Sequence, residues 1–78
     1  MIVKVLGTGC ARCKNLETTV KDVIAKNNIE AEVVKVTDIP EIMKYGILMT
    51  PGLVVNEKVV SSGIIPKGEQ ILQWLKQA

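Results

Sequence analysis

Both cysteines of the chain lie in one short stretch, Gly7-Thr8-Gly9-Cys10-Ala11-Arg12-Cys13-Lys14. An apolar run precedes this stretch and a helical pattern follows it, so the cysteines fall at a predicted strand-to-helix junction. A helix that begins near Cys10 would hold its sulfur close to unpaired backbone N–H groups and the positive end of the helix dipole. Because that field favours the thiolate, which is the reactive form of cysteine, the stretch predicts a redox-active dithiol.

The two cysteines have different predicted roles. Cys13 lies one helical turn after Cys10, close enough for the two to form a disulfide. Cys13 also falls on the apolar stripe of the predicted helix, so we expect Cys10 to attack substrate and Cys13 to act as the protected, resolving thiol. Arg12 and Lys14 add positive charge nearby and are candidates for lowering a thiol pKa. The alternative is that both are solvated charges on the helix surface.

The hydrophobic pattern on either side of this stretch predicts an α/β domain with the element order β-α-β-α-β-β-α. Strands are predicted at residues 2–6, 31–36, 53–55 and 58–61, and helices at 11–26, 39–45 and 66–77. A crossover helix separates the first two strands, so they should pair in parallel, whereas the last two form an antiparallel hairpin around Asn56-Glu57. Asp38 and Glu41 are expected to form a capping box at the second helix. In the last helix we expect a buried side formed by Ile71, Leu72, Trp74 and Leu75.

The composition restricts the possible functions. The chain has 78 residues, 47% of them hydrophobic, and a net charge of +2. We expect one domain over residues 1–78. The charge is too small, and the lysines too scattered, to predict nucleic-acid binding. Histidine is absent, which excludes histidine-based catalysis and a Cys/His zinc set within one chain. We expect no cofactor.

The sequence also bears on location. No segment is apolar over the roughly 20 residues that a membrane helix needs, and the N-terminal apolar run is too short for a signal sequence. Two closely spaced cysteines without an export signal indicate the reducing cytoplasm, where such a pair is more often catalytic or metal-binding than structural. We therefore predict a cytoplasmic protein without membrane contact, and we expect it to be a monomer.

With this element order, the chain resembles the thioredoxin-like superfamily. The closest likeness is to the small glutaredoxin-like redox-active disulfide proteins of archaea and bacteria, in which a Gly-Thr-Gly-Cys-Ala-x-Cys segment opens the first helix, as residues 7–13 do here. A second shared segment leads into a hydrophobic strand and reads Tyr45-Gly46-Ile47-Leu48-Met49-Thr50-Pro51. The likeness covers essentially the whole chain. It implies a minimal thioredoxin fold, with a four-stranded mixed sheet flanked by helices.

The resemblance also implies an activity and a substrate site. It implies a disulfide reductase that exchanges its dithiol with protein or small-molecule disulfides through a mixed disulfide at Cys10. Its partners would be a substrate disulfide and a separate thiol or flavin reductase. In the family fold Thr50-Pro51 is a cis peptide bond opposite the cysteines. The backbone of Thr50 would there pair with an extended substrate segment.

One departure from the family concerns Lys4, six residues before Cys10. Thioredoxins keep a buried carboxylate at this place, so in the same register no acid assists proton removal from Cys13. Lys4 is therefore a further candidate for lowering a thiol pKa. We favour the alternative that its stem covers apolar surface while its ammonium extends to solvent.

A second resemblance leaves another function open. The loop before the first helix is also similar to the Met-x-Cys-x-x-Cys loop of copper chaperone domains, and two thiolates suit Cu(I) or Hg(II). The alternative function is therefore a soft-metal carrier that uses both cysteines. Thr8 stands where those domains place methionine, and the Thr50-Pro51 loop has no role in such a carrier. A third possibility keeps the thioredoxin fold as a sensor or scaffold with slow exchange.

Overall fold

A computed structural model describes residues 1–9 and 11–77, which leaves Cys10 and Ala78 outside the described residues. The elements follow the predicted order: β1 (Ile2–Leu6), α1 (Ala11–Lys26), β2 (Glu32–Val36), α2 (Ile39–Lys44), β3 (Gly52–Val55), β4 (Lys58–Ser62) and α3 (Gly68–Gln77). The predicted fold class is confirmed. Among the described helices, none is long and apolar enough to cross a membrane.

The four strands form one mixed sheet in the order β2-β1-β3-β4. The crossover through α1 makes β1 and β2 parallel, with Val3 opposite Val33. β1 and β3 are antiparallel, with Val5 opposite Leu53. β3 and β4 form the predicted antiparallel hairpin, which turns at Asn56 and Glu57, both with positive φ (48° and 67°). Positive φ at both turn residues matches the right-handed twist of the flanking strands. Because β1 lies between β2 and β3, it is a central strand. The cysteine stretch follows its C-terminal end.

Two sets of buried side chains hold helices on the sheet. The larger lies between the sheet and the helices α1 and α3 and contains Val3, Val5, Leu16, Val20, Val23, Leu53, Val55, Ile71 and Leu75. The smaller lies beneath α2 and contains Leu6, Ile42, Ile47 and Val54. Because side chains alternate along a strand, the odd positions of β1 face α1 and the even positions face α2. The fully buried residues of both sets are aliphatic, and the two aromatic residues of the chain, Trp74 and Tyr45, pack against them only partly buried.

Two details of the helices differ from the sequence prediction. Asp38 occupies the N-cap position of α2, but its side chain makes no capping hydrogen bond, and Glu41 pairs instead with Lys44 at 2.8 Å. The predicted capping box is therefore wrong. In α3 only Ile71 and Leu75 are fully buried, whereas Leu72 and Trp74 are partly buried at the flanks of the apolar stripe. α3 begins at Gly68 because the carbonyl of Lys67 accepts the first intrahelical hydrogen bond, from Ile71, at 3.1 Å.

Candidate functional site

The cysteine stretch begins where β1 ends. The Gly7 N–H donates to the Val36 carbonyl at 2.9 Å, which continues the pairing of β1 with β2 beyond Leu6. The chain then turns through Gly9, whose φ of 91° suits glycine, and α1 starts at Ala11. The predicted strand-to-helix junction is therefore confirmed. The predicted nucleophile, Cys10, lies outside the described residues, and its role stays a prediction.

Cys13 is buried in the first turn of α1, with 5% of its surface exposed. Its sulfur packs directly on the backbone of Gly7, so closely that a Cβ atom at Gly7 would overlap Cys13 Sγ. The expected packing of Cys13 on the apolar side of the helix is confirmed. Its role as the resolving thiol stays a prediction. Glycine is favoured here because a Cβ at position 7 would force Cys13 or the end of β1 to shift.

The Thr50-Pro51 peptide bond is cis, as the resemblance implied. Thr50 is half-buried and Pro51 is buried, directly before β3. The Pro51 carbonyl accepts a hydrogen bond from the Gly63 N–H at 2.8 Å, which joins this loop to the end of the β3–β4 hairpin. Substrate binding by Thr50 and Pro51 stays a prediction.

Arg12 connects the cysteine stretch to this loop. Its Nη2 atom donates to the carbonyl oxygen of Gly63 at 3.1 Å, and the N–H of the same Gly63 donates to Pro51. The first turn of α1 and the Thr50-Pro51 loop are thus joined through Gly63. The sequence signal for a special position here is the glycine itself. Its φ is 74°, which favours glycine, and a Cβ there would lie 2.9 Å from Met49 Cβ.

We expect Arg12→Met to lower the free energy of unfolding by about 0.5–1.5 kcal/mol, because the variant loses the hydrogen bond to Gly63. Lys14→Met is the matched control, since it removes one positive charge from the same exposed turn of α1. Urea unfolding of both variants measures the effect. Equal destabilisation by the two substitutions would show that the Arg12–Gly63 bond contributes nothing beyond charge. Lowering of a thiol pKa by Arg12 or Lys14 stays a prediction.

Lys4 belongs to a polar cluster on the α2 side of the sheet. Its Nζ donates to Glu57 Oε1 at 2.6 Å and to the Tyr45 hydroxyl at 2.7 Å, and that hydroxyl donates to Glu57 Oε2 at 3.2 Å. The expectation that the ammonium extends to solvent is therefore wrong, because a carboxylate and a phenol bind it. Val5, which lines a cavity beside Cys13, lies on the opposite face of β1 from Lys4. Lowering of a thiol pKa by Lys4 stays a prediction.

This cluster predicts a pH dependence of stability. The hydrogen bond from Lys4 holds the pKa of Glu57 below its ordinary value of 4.5, and the bonds to Glu57 and Tyr45 raise the pKa of Lys4 above 10.5. A lowered carboxylate pKa stabilises the fold above the unfolded-state pKa, and this contribution is lost as pH falls through the folded-state pKa. The raised lysine pKa contributes below about pH 10.5 and is lost at more alkaline pH.

We therefore expect wild type to exceed a Glu57→Gln variant in unfolding free energy at neutral pH, and the difference to vanish in acid below pH 4.5. Urea unfolding at a series of pH values measures it. Glu30→Gln removes an exposed carboxylate that has no ion pair among the described residues and is the control. A difference that persists unchanged into acid would contradict the assignment to this carboxylate.

Comparison with known proteins finds a matching protein family and individual relatives of similar sequence. Residues 1–76 match the family described as thioredoxin domain. The chain is 37% identical over 76 residues to a protein named thioredoxin from Methanocaldococcus jannaschii, a match that covers 97% of this chain and 87% of the relative. It is 31% identical over 75 residues to a protein named thioredoxin from Methanothermobacter thermautotrophicus, covering 96% and 97% of the two chains.

Proposed function

Because this chain belongs to the thioredoxin domain family, we propose that it is a thiol–disulfide oxidoreductase whose dithiol is Cys10 and Cys13. The observation that carries the proposal is this family membership over residues 1–76, in a chain whose two cysteines are separated by only two residues in the sequence between β1 and the first turn of α1. The names of the relatives support a thioredoxin-like redox function. The burial of Cys13 supports its assignment as the thiol that substrate does not reach.

In the proposed reaction the Cys10 thiolate attacks one sulfur of a substrate disulfide. A bond forms between Cys10 and that sulfur, and the other substrate sulfur leaves as a thiolate and takes up a proton. Cys13, as a thiolate, then attacks the Cys10 sulfur, which releases the second substrate thiolate and leaves a Cys10–Cys13 disulfide. Two electrons pass from the dithiol to the substrate. A separate thiol or flavin reductase must return them before the next turnover.

The surface around the proline loop supports a polypeptide as substrate. Leu48 and Met49, directly before Thr50, are 99% and 63% exposed, and Ile64 and Ile65 are exposed after Gly63. Exposed apolar side chains that flank a backbone segment suit an extended peptide, which pairs with the backbone and places its side chains in neighbouring apolar depressions. We propose that Thr50 and Pro51 form the floor of this binding surface, and that the protein acts as a monomer in the cytoplasm.

The alternative, a soft-metal carrier, has no support from the relatives. One pair of experiments separates the two functions. Under the proposal, catalytic amounts of the protein accelerate insulin reduction by dithiothreitol well above the rate of dithiothreitol alone. A rate equal to that of dithiothreitol alone, together with stoichiometric Cu(I) binding in an anaerobic titration, would replace the oxidoreductase with the carrier.

A further inference from the structure

An exposed apolar surface lies where the proline loop meets the end of the β3–β4 hairpin. Leu48 and Met49 from the loop, and Ile64 and Ile65 from beyond the hairpin, are between 40% and 99% exposed. The two segments touch, because a Cβ at Gly63 would lie 2.9 Å from Met49 Cβ. These four side chains therefore form one surface around Gly63, which we call the loop patch. The proposed function gives this surface to a substrate polypeptide.

Arg12 supplies a positive charge at the rim of the loop patch. Its Nη2 atom donates to the carbonyl oxygen of Gly63 at 3.1 Å, although the two residues are 51 positions apart in the chain. A guanidinium is a planar fork of five N–H donors that matches a carboxylate in geometry. The Gly63 carbonyl takes one of these donors, and the side chain is otherwise exposed. The fixed guanidinium can therefore bind a second acceptor beside the patch.

The chain itself supplies no carboxylate for this charge. Every ion pair among the described residues joins a lysine to a carboxylate, and none includes Arg12. The three segments that form the region are residues 7–14, 45–52 and 62–68. They contain Arg12, Lys14 and Lys67 and no aspartate or glutamate. A surface of one charge sign favours partners of the opposite sign. The patch thus combines exposed apolar side chains with a positive charge that fits an acidic partner.

We propose that the loop patch selects disulfide peptides that carry aspartate or glutamate among apolar residues near the reactive cysteine, and that Arg12 binds this carboxylate. The inference rests on the proposed oxidoreductase function and names its substrate class. The apolar side chains of the peptide pack on the patch, and its carboxylate accepts N–H groups of Arg12. Because the bond to Gly63 already orders the guanidinium, little side-chain freedom is lost when the carboxylate binds. Arg12 takes no part in the exchange of sulfur bonds.

Two synthetic peptides test this selection. Both have the same sequence, one disulfide between two cysteines and apolar residues next to each cysteine. One peptide has glutamate two positions from each cysteine, and the other has glutamine there. The reduced protein is mixed with an excess of each peptide, the reaction is stopped with acid, and the reduced peptide is measured by chromatography. The ratio of the two rates reports recognition of the carboxylate, because the reactivity of Cys10 enters both rates equally. Dithiothreitol alone gives the intrinsic ratio of the two peptides.

We expect the wild type to prefer the glutamate peptide by about two- to fivefold over the intrinsic ratio at low ionic strength, the range of exposed ion pairs. In about 1 M salt, where the screening length is about 3 Å, this preference should disappear. Arg12→Met should abolish the preference at low ionic strength as well. Arg12→Lys should retain part of it, since the charge is kept without the planar fork.

Lys14→Met is the matched control. It removes the same charge from the same turn of α1, but residues two apart on a helix point to different sides, and Lys14 lines the cavity beside β2 instead. Most of the preference should therefore remain in this variant. A purely structural role of Arg12 would change the rates with both peptides alike and leave their ratio as in the wild type. Circular dichroism verifies that each variant is folded.

A wild-type ratio equal to that of dithiothreitol at low ionic strength would overturn the proposal. So would a preference that survives unchanged in Arg12→Met, or one that Lys14→Met abolishes equally. The wild-type ratio and its dependence on salt need no substituted protein, so they decide the matter even if a variant does not fold. Failure of the wild type to reduce either peptide would instead overturn the oxidoreductase function itself.

Discussion

Replacement of Cys10 by serine is expected to reduce insulin reduction to the rate of dithiothreitol alone. A serine hydroxyl is not ionised at neutral pH and cannot form the mixed disulfide on which the exchange depends. Replacement of Cys13 by serine should have a different result. The first attack should remain, and the protein should accumulate as a mixed disulfide with substrate, because no second thiol is present to release it.

Intact mass spectrometry under non-reducing conditions measures the trapped species, and the insulin assay measures turnover. In the Cys10→Ser variant we expect neither turnover nor adduct. Undiminished turnover in that variant would remove the proposed mechanism. An adduct that forms in Cys10→Ser and not in Cys13→Ser would show that the roles of the two thiols are reversed. The Cys10→Ser/Cys13→Ser double variant, which carries no thiol, sets the background of both assays.

Gly7→Ala is expected to destabilise the fold by about 1–3 kcal/mol, the usual cost of extra volume in a packed site. The new Cβ would overlap Cys13 Sγ and lie 3.0 Å from Cys13 Cβ. Neither neighbour can yield easily, since Gly7 is fixed by its hydrogen bond to Val36 and Cys13 by the first turn of α1. Urea unfolding followed by circular dichroism measures the loss.

A double-mutant cycle tests the cause of this loss. In a Cys13→Ala background the overlapping sulfur is absent, so Gly7→Ala should cost less there, with a coupling energy of about 1 kcal/mol or more. Gly68→Ala is the control, because a Cβ at Gly68 meets only Val23 Cγ2, at 3.4 Å, an ordinary contact. Equal costs of Gly7→Ala in the two backgrounds would show that the Cys13 sulfur is not the obstacle.

The pairing of the strands follows from features that are local in sequence. Apolar alternation marks the strands, the helix between β1 and β2 enforces their parallel pairing, and the turn at Asn56 and Glu57 sets the hairpin. The burial of Cys13 follows from the helical period of α1. The cis peptide bond between Thr50 and Pro51 does not follow from local sequence. Only the family resemblance implied it.

Three features of the site could not be predicted because they join residues far apart in the chain. Arg12 reaches Gly63, and Lys4 reaches both Tyr45 and Glu57, across separations of 41 to 53 residues. The capping box at Asp38 failed for the opposite reason. The local pattern was present, but Glu41 pairs with Lys44, so its side chain does not take part in the cap.

The sequence alone determined the order of the elements, the strand-to-helix junction after β1 and the burial of Cys13, because periodicity and glycine placement act over a few residues. Only the tertiary structure decided what surrounds the Cys13 sulfur and its helical turn: the Gly7 backbone against Cys13, the Arg12–Gly63–Pro51 connection, and a cavity lined by both Cys13 and Glu17. The physical reason is that side-chain contacts between elements depend on how strands and helices are stacked. That arrangement is set by the packing of the whole core, which no short stretch encodes.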